Sequence, residues 1–202
     1  LHHIPTCNNN PQSAYKNNIL GTQNLIDSLE SLKNLRKIIF TSSGAVYDWS
    51  NSPLKENNSL NPKDVYSLSK FVNEKQFELS ATKDLDIVIA RLFNVIGPND
   101  PNGHLIPDIK KQISKKNKKI VLGNLKPKRD YIYIEDVVYF LKNLSLKKSK
   151  NKIDYLNISS GIEYDVRQIA KIVLSVNNSA QSIVSDFSRV RKNDRPSQHA
   201  NI

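Results

Sequence analysis

Tyr66 and Lys70, in the segment DVYSLSK (64–70), could together form a proton-transfer site. In a helix, residues i and i+4 lie on the same face, so the phenol and the ammonium group could approach each other. A nearby positive charge favours the phenolate, and a phenolate is a usable general base. The spacing alone is weak evidence, because a chain with 8 tyrosines and many lysines is expected to contain about one such pair by chance. The elements around the pair must therefore decide between a site and an ordinary helix surface.

The pair falls in a helix predicted over residues 64–82, between two apolar segments that are typical of buried strands, KIIFTSS (37–43) and LDIVIARLF (85–93). Further helices are predicted over 11–33, 104–117, 135–146 and 164–176, and further strands over 119–122, 131–134 and 154–158. The opening LHHIP is interpreted as the end of another buried strand. Strands that alternate with helices indicate an α/β fold with a parallel sheet covered on both faces.

In such a sheet, ligands bind beyond the carboxyl ends of the strands. Ser42 and Ser43 come at the end of the first buried strand, and Asn94 follows the second. These three polar residues are therefore expected to lie on the same edge of the sheet. The sequence thus predicts a ligand site at that edge.

The use of cysteine and histidine narrows the class of protein. A single cysteine, Cys7, excludes an intrachain disulfide and suits a reducing, cytoplasmic compartment. The four histidines have no metal-ligand spacing, so no metal site is expected. No apolar run approaches the length of a membrane span, and no membrane partner is expected.

The formal net charge of +11 raises the question of a nucleic-acid partner. The lysine pairs are scattered over several segments, without interleaved aromatic residues or a recognised binding motif. We therefore expect no nucleic-acid partner. An anionic small substrate accounts for part of the positive charge equally well.

Five segments occur in a diagnostic order: NNILGT (17–22), IIFTSSGAVY (38–47), YSLSK (66–70), ARLFNVIGP (90–98) and KRDYIYIEDV (128–137). Together they resemble the extended short-chain dehydrogenase/reductase family, in its nucleotide-sugar epimerase/dehydratase branch, from about His3 to Arg195. The resemblance implies a partial, Rossmann-like, doubly wound parallel sheet with a small C-terminal substrate-binding lobe. Residues 1–95 would be the C-terminal part of the cofactor domain. Residues 96–202 would be mainly the substrate lobe, with Rossmann elements returning around 128–160.

The resemblance also implies roles for individual residues. Tyr66 would be the base, Ser43 would hydrogen-bond the reacting oxygen, and Lys70 would lower the pKa of Tyr66 and hold the cofactor ribose. The cofactor would be NAD, with NADP left open. Its expected contacts are Ile4, Pro5, Asn18, Thr41, Ser42, Tyr66, Lys70, Leu92 and Phe93. The expected contacts of a nucleotide-diphosphate sugar are Ser43, Asn94, Arg129 and Arg191.

The sequence departs from the family pattern in three places. It contains no Gly-x-x-Gly-x-x-Gly phosphate loop, so the chain is interpreted as a fragment that lacks the first three strands. Gly44 and Ala45 stand where dehydratases usually carry acidic residues, and neither can transfer a proton. Pro5 and Asp48 replace a common alanine and a common glycine.

The predicted function is that of an NAD-dependent nucleotide-sugar epimerase acting through a transient 4-keto sugar. An NADPH-dependent 4-keto-6-deoxy nucleotide-sugar reductase is the alternative, and a 4,6-dehydratase is disfavoured by Gly44 and Ala45. A non-catalytic NAD(P)-binding protein or a nucleic-acid-binding protein are the alternatives from other classes. Dimerisation is common in the family, but the sequence does not itself establish a homodimer.

Overall fold

The computed structural model describes residues 1–29, 31–116, 118–190 and 194–202. The helices are α1 (Ile4–Asn9), α2 (Pro11–Tyr15), α3 (Gly21–Leu29), α4 (Val65–Ser80), α5 (Leu105–Ser114), α6 (Ile134–Leu146) and α7 (Val166–Val176). A π-helical turn, Lys16–Leu20, joins α2 to α3. The strands are β1 (Lys37–Ser43), β2 (Asp86–Leu92), β3 (Asn94–Ile96), β4 (Lys119–Leu122), β5 (Lys128–Tyr133), β6 (Ile153–Ile158), β7 (Glu163–Asp165), β8 (Ser182–Ser185) and β9 (Ser197–Gln198).

A parallel sheet with the order β1-β2-β6 lies at the centre of the fold. Residues 87–91 of β2 are all buried, as expected for a strand covered on both faces. Ile87 and Ile89 pack with Phe77 of α4 on one face, while Ala90 packs with Val137 of α6 on the other. The α/β class and the parallel sheet predicted from the sequence are therefore confirmed.

Two smaller sheets complete the structure. In one, β5 pairs with β3 and β9 in parallel and with β7 in antiparallel orientation. In the other, β4 and β8 pair in parallel, and α5 and α7 pack against this side of the molecule. The expected division at residue 95 into a cofactor part and a substrate lobe remains a prediction.

Several local predictions differ from the structure. Residues 11–33 do not form one helix, because the π-helical turn interrupts them and α3 ends at Leu29. The interpretation of LHHIP as a strand end is wrong: α1 begins at Ile4, and Pro5 in its first turn is preorganised for a helix. The strands β3, β7, β8 and β9 have two to four residues each, too few to produce a readable alternation. Across the described ranges, no helix is long and apolar enough to cross a membrane.

Candidate active site

The start of α4 positions Tyr66 and Lys70. Asp64 precedes the helix, and its carboxylate accepts a hydrogen bond from the Ser67 amide at 2.8 Å. The Ser67 hydroxyl accepts one from the Asp64 amide at 3.1 Å, which completes a capping box. This cap fixes the first helical residue, so Tyr66 lies in the first turn and Lys70 one turn later.

Ser43, the last residue of β1, meets Tyr66 at the carboxyl edge of the sheet. The Ser43 hydroxyl oxygen accepts a hydrogen bond from the Ala45 amide at 3.2 Å. Burial raises the pKa of Tyr66, and its hydrogen bond with Ser43 lowers the pKa by less, so the net pKa lies above the ordinary tyrosine value. Asp64 and Cys7 raise it further. Burial, which was not readable from the sequence, therefore outweighs the hydrogen bond in this structure, and the lowering of this pKa by Lys70 remains a prediction.

Lys70 is directed at β1. Its ammonium group donates to the Thr41 carbonyl at 2.8 Å and lies 4.8 Å from the centroid of the Phe40 ring. Burial lowers the pKa of Lys70, while the nearby Glu74 raises it. No charge effect of Lys70 is among the causes that shift the pKa of Tyr66. The ammonium group thus donates to a backbone carbonyl rather than to the Tyr66 phenol.

Asn18 reaches the site from the π-helical turn. Its side-chain amide donates to the Ser69 hydroxyl at 2.9 Å, and Ser69 in turn donates to the Tyr66 carbonyl at 2.8 Å. The Asn73 side chain donates to the Asn18 carbonyl at 2.9 Å, which ties the turn to α4. Irregular helical turns of this kind often occur at functional sites. The π-helical turn therefore connects Asn18 to the backbone of the candidate base.

A buried ion pair between α4 and β2 lies next to the site. The Arg91 guanidinium on β2 binds the Glu74 carboxylate on α4 through two hydrogen bonds of 3.0 and 2.8 Å, and the two side chains are 2% and 0% exposed. The Ser42 hydroxyl donates to the same carboxylate at 2.5 Å. Tyr47 accepts a further hydrogen bond from Arg91 at 2.9 Å. The network joins α4 to the ends of β1 and β2, and the sequence analysis did not identify it.

A cleft of about 1480 Å³ runs across this edge of the sheet. Every predicted cofactor or substrate contact that the structure describes lines it: Ile4, Pro5, Asn18, Thr41, Ser42, Ser43, Tyr66, Lys70, Leu92, Phe93, Asn94 and Arg129. Arg191 lies outside the described residues. The individual roles of these residues remain predictions. The cleft also contains residues that the sequence analysis missed as site residues, among them Trp49, His104, Arg189, Asp194 and Arg195.

Arg129 and Asn94 lie at the end of the cleft formed by the sheet of β3, β5, β7 and β9. Arg129 on β5 forms an ion pair with Asp194 at 3.0 Å and donates to the Arg195 carbonyl at 2.7 Å. Asn94 on the neighbouring β3 donates to the Asp130 carbonyl at 3.3 Å. These contacts hold a guanidinium and an amide on the same side of the cleft.

Two of the four histidines, His104 and His199, have carboxylate neighbours. His104 bonds Asp100 at 2.7 Å, and His199 lies 3.2 Å from Glu163. In the part of the chain that the structure describes, no group of three or more His, Cys, Asp or Glu side chains is arranged to hold a metal ion.

Comparisons with known proteins identify relatives. The profile of the family "NAD dependent epimerase/dehydratase family" matches residues 1–158. The GDP-6-deoxy-D-talose 4-dehydrogenase of Aggregatibacter actinomycetemcomitans is 33% identical over 193 residues, covering 94% of this chain and 64% of that protein. The UDP-glucose 4-epimerase of Mycoplasma genitalium is 31% identical over 191 residues, covering 81% of this chain and 55% of that protein.

A solved structure is similar over the whole chain. The UDP-N-acetylglucosamine 4-epimerase from Methanobrevibacter ruminantium M1, in complex with UDP-N-acetylmuramic acid, matches with a TM-score of 0.85 and 27% identity, covering 100% of this chain and 65% of that one. Other matching relatives are named as nucleotide-sugar reductases and dehydratases. The chain spans a little over half to just under two thirds of the lengths of the curated relatives described above.

Proposed function

The chain belongs to the NAD-dependent epimerase/dehydratase family, and on this premise we propose that the full-length protein oxidises and reduces C4 of a nucleotide-diphosphate sugar. The convergence of Ser43, Tyr66 and Lys70 at the carboxyl edge of one parallel sheet carries the proposal. Arg129, on the same cleft, supplies a planar guanidinium of the kind that pairs with phosphate oxygens. The names of the relatives described above support the choice of C4, since all three refer to position 4.

In the proposed reaction, Tyr66 accepts the proton of the C4 hydroxyl as the C4 hydrogen leaves as hydride. Ser43 hydrogen-bonds the same oxygen, and Lys70 holds the cofactor ribose. A nicotinamide cofactor, when bound, supplies the hydride acceptor and donor. For an epimerase, the 4-keto sugar turns in the cleft before Tyr66 returns the proton to its oxygen.

The residues on the cleft fit a nicotinamide cofactor. Ile4, Pro5 and Leu92 offer apolar surface for a flat ring, and Asn18 and Lys70 offer hydrogen-bond donors for ribose oxygens. We propose NAD as the cofactor, with NADP as the alternative. The residue that binds the adenosine ribose in the full-length protein would decide between the two. As part of the same proposal, residues 1–95 belong to the cofactor domain and 96–202 mainly to the substrate lobe. The single cysteine supports a cytoplasmic location.

A 4,6-dehydratase fits this cleft poorly. A Cβ atom added at Gly44 would lie 2.8 Å from the Gln198 amide nitrogen and 3.1 Å from the Phe93 ring. An acidic side chain at position 44 would therefore require both neighbours to shift, and Ala45 has no group that transfers protons.

A 4-keto-sugar reductase is the second candidate. Burial raises the pKa of Tyr66, which favours the protonated phenol. A protonated phenol is the form that donates to the oxygen of a 4-keto sugar as hydride reduces C4. Reduction uses the same three residues once, in the reverse direction.

Replacing Tyr66 by phenylalanine in the full-length protein tests the proposal. We expect kcat to fall by roughly 10²–10⁴-fold, because general acid–base catalysis is lost while the ring still packs. UDP-glucose, GDP-mannose and dTDP-glucose with NAD⁺, and GDP-4-keto-6-deoxymannose with NADPH, form the substrate panel, with products analysed by NMR.

Two results distinguish the candidates. Interconversion of C4 epimers without net cofactor turnover identifies an epimerase, whereas stoichiometric oxidation of NADPH identifies a reductase. Tyr139→Phe is the matched control, since Tyr139 lies 66% exposed on α6 and should leave kcat unchanged. Normal turnover by the Tyr66 variant would refute the assignment of the base.

A further inference from the structure

Arg195 is a buried arginine that holds the loop after β1. The residue is only 9% exposed. Its guanidinium donates to three backbone carbonyls, those of Gly44 at 3.1 Å, Ala45 at 3.3 Å and Tyr47 at 2.6 Å. A planar guanidinium can serve three acceptors at once, because its five N–H groups point in fixed directions. Arg195 therefore fixes the backbone immediately after Ser43.

Ala45 connects this clamp to the candidate catalytic serine. Its amide donates to the Ser43 hydroxyl oxygen at 3.2 Å, while its carbonyl accepts from Arg195. The same residue is therefore held by Arg195 at its carbonyl and orients Ser43 through its amide. Ser43 in turn lies close enough to Tyr66 to lower its pKa. A change in the Arg195 clamp reaches the reacting groups through one residue.

The backbone of the same segment binds the arginine at the other end of the cleft. Arg129 donates to the Arg195 carbonyl at 2.7 Å and pairs with Asp194 at 3.0 Å. Gln198, the partner of Arg129 in the pairing of β5 with β9, packs against Gly44. The segment from Asp194 to Gln198 thus touches both the Arg129 side of the cleft and the loop after Ser43.

Arg195 keeps its charge in this position. Burial, and less strongly the nearby Arg129, lower the pKa of Arg195 to about 10. A guanidinium with that pKa is protonated at neutral pH, so all of its donors remain available to the three carbonyls.

We propose that Arg195 is a positioning residue for Ser43, and that the segment Asp194–Arg195 couples the Arg129 end of the cleft to the reacting end. The inference rests on the proposed function, since it assigns a role within the same reaction. Arg195 acts through Ala45 on the orientation of the Ser43 hydroxyl, without touching the sugar.

Steady-state kinetics on the full-length protein test the role of Arg195. Arg195→Lys keeps the charge but cannot serve three carbonyls in fixed directions, and Arg195→Met keeps the bulk without donors. For the sugar of the panel that the wild type converts, we expect kcat to fall at least tenfold in both variants, with KM changing less than threefold. A loss confined to KM would overturn the proposal.

A double-mutant cycle shows whether Arg195 acts through Ser43. In a Ser43→Ala background, Arg195→Lys should lower kcat by less than twofold, because the group it positions is already absent. An equal loss of kcat in both backgrounds would overturn the proposal. Arg36→Lys is the matched control, since Arg36 also donates to two backbone carbonyls, at 2.7 and 3.2 Å, but lies beside the amino end of β1.

Hydrogen–deuterium exchange gives a readout independent of turnover. In Arg195→Lys, the Ala45 amide should exchange at least tenfold faster than in the wild type, while α7 keeps its protection. Unchanged exchange at Ala45 would refute the clamp, whatever the enzyme assay shows. If the Ala45 amide exchanges faster in Arg195→Lys but the wild type converts none of the panel sugars, the proposed function is refuted and the clamp stands.

Discussion

Tyr66 is subject to two opposing effects at the scale of single residues. Burial raises its pKa, and the hydrogen bond with Ser43 lowers it by less. The Lys70 ammonium group, which the family pattern assigns to lowering this pKa, donates to Thr41 instead. Ser43 is therefore the described neighbour that moves the phenol toward ionisation.

This balance predicts how the pH dependence responds to Ser43→Ala in the full-length protein. Losing the hydrogen bond raises the pKa of Tyr66 further. Because oxidation of the sugar hydroxyl uses the deprotonated phenol, the rising limb of the kcat profile should move to higher pH. We also expect kcat at its plateau to fall by about 10²-fold, since one donor to the reacting oxygen is lost.

Profiles of kcat against pH for the wild type and the variant measure both effects. Ser145→Ala is the control, because Ser145 is exposed and its hydroxyl donates within α6, to the Lys142 carbonyl. A rising limb that stays in place, or moves to lower pH, would contradict the role given to Ser43.

At the scale of elements, the buried pair of Glu74 and Arg91 fixes α4 against the sheet. Ser42 donates to Glu74, and Arg91 also donates to the Glu56 carbonyl at 2.9 Å. The pair thus ties the helix that carries Tyr66 and Lys70 to the two strands whose ends form the site. A buried ion pair is costly to desolvate, so its stabilising effect depends on this full set of hydrogen bonds.

Breaking the pair from one side should destabilise the fold strongly. Arg91→Met leaves the Glu74 carboxylate buried without its counter-charge, and we expect a loss of about 3–5 kcal/mol in the free energy of unfolding. Urea denaturation followed by circular dichroism measures the change.

Two comparisons sharpen the experiment. Lys152→Met breaks the surface ion pair between Lys152 and Asp86. Because the Lys152 side chain is 50% exposed, this change should lower the free energy of unfolding far less. Replacing both buried partners, Glu74→Leu with Arg91→Met, should cost less than Arg91→Met alone, because no unpaired charge remains. A double variant less stable than the single one would show that the unpaired carboxylate is not the cause.

At the scale of the whole molecule, Asp130 joins the two sheets that flank the cleft. Its carboxylate accepts from the Ser160 amide and hydroxyl at 2.8 and 2.7 Å and from the Gly161 amide at 2.9 Å, in the loop that follows β6. It also accepts from the Ala200 amide at 3.4 Å, near the end of the segment that carries Arg195. One buried carboxylate on β5 therefore holds a loop of the central sheet and the C-terminal segment together.

Asp130→Asn should loosen this junction. The amide keeps one acceptor oxygen and loses the other, so we expect a loss of about 2 kcal/mol in the free energy of unfolding. Residues 197–202 should also exchange their amide hydrogens faster, which hydrogen–deuterium exchange measures. Asp154→Asn is the control, because Asp154 accepts from Lys150 and Asn151 at the surface. Equal losses in the two variants would show that burial of Asp130 has no special effect.

The amino-acid sequence alone determined the order of the main elements and predicted the candidate site residues. Apolar runs and helical spacing are local signals, so β1, β2, α4 and the parallel sheet were predictable from the residues themselves. The order of five short segments was enough to place Ser43, Tyr66 and Lys70 at one edge, and the structure brings them to one cleft. The four-residue strand β4 was predicted, but β3, β7, β8 and β9, with two to four residues each, were not, because such short segments carry no clear period.

Only the tertiary structure decided the environment of those residues. The net direction of the pKa shift of Tyr66 follows from burial, and the carbonyl that receives Lys70 lies 29 residues away in the chain. Arg195 and Ala45 are 150 residues apart, and no local pattern links them. Burial and long-range hydrogen bonds arise when distant segments pack together, which is why the sequence predicted the candidate reacting groups but not how they are held.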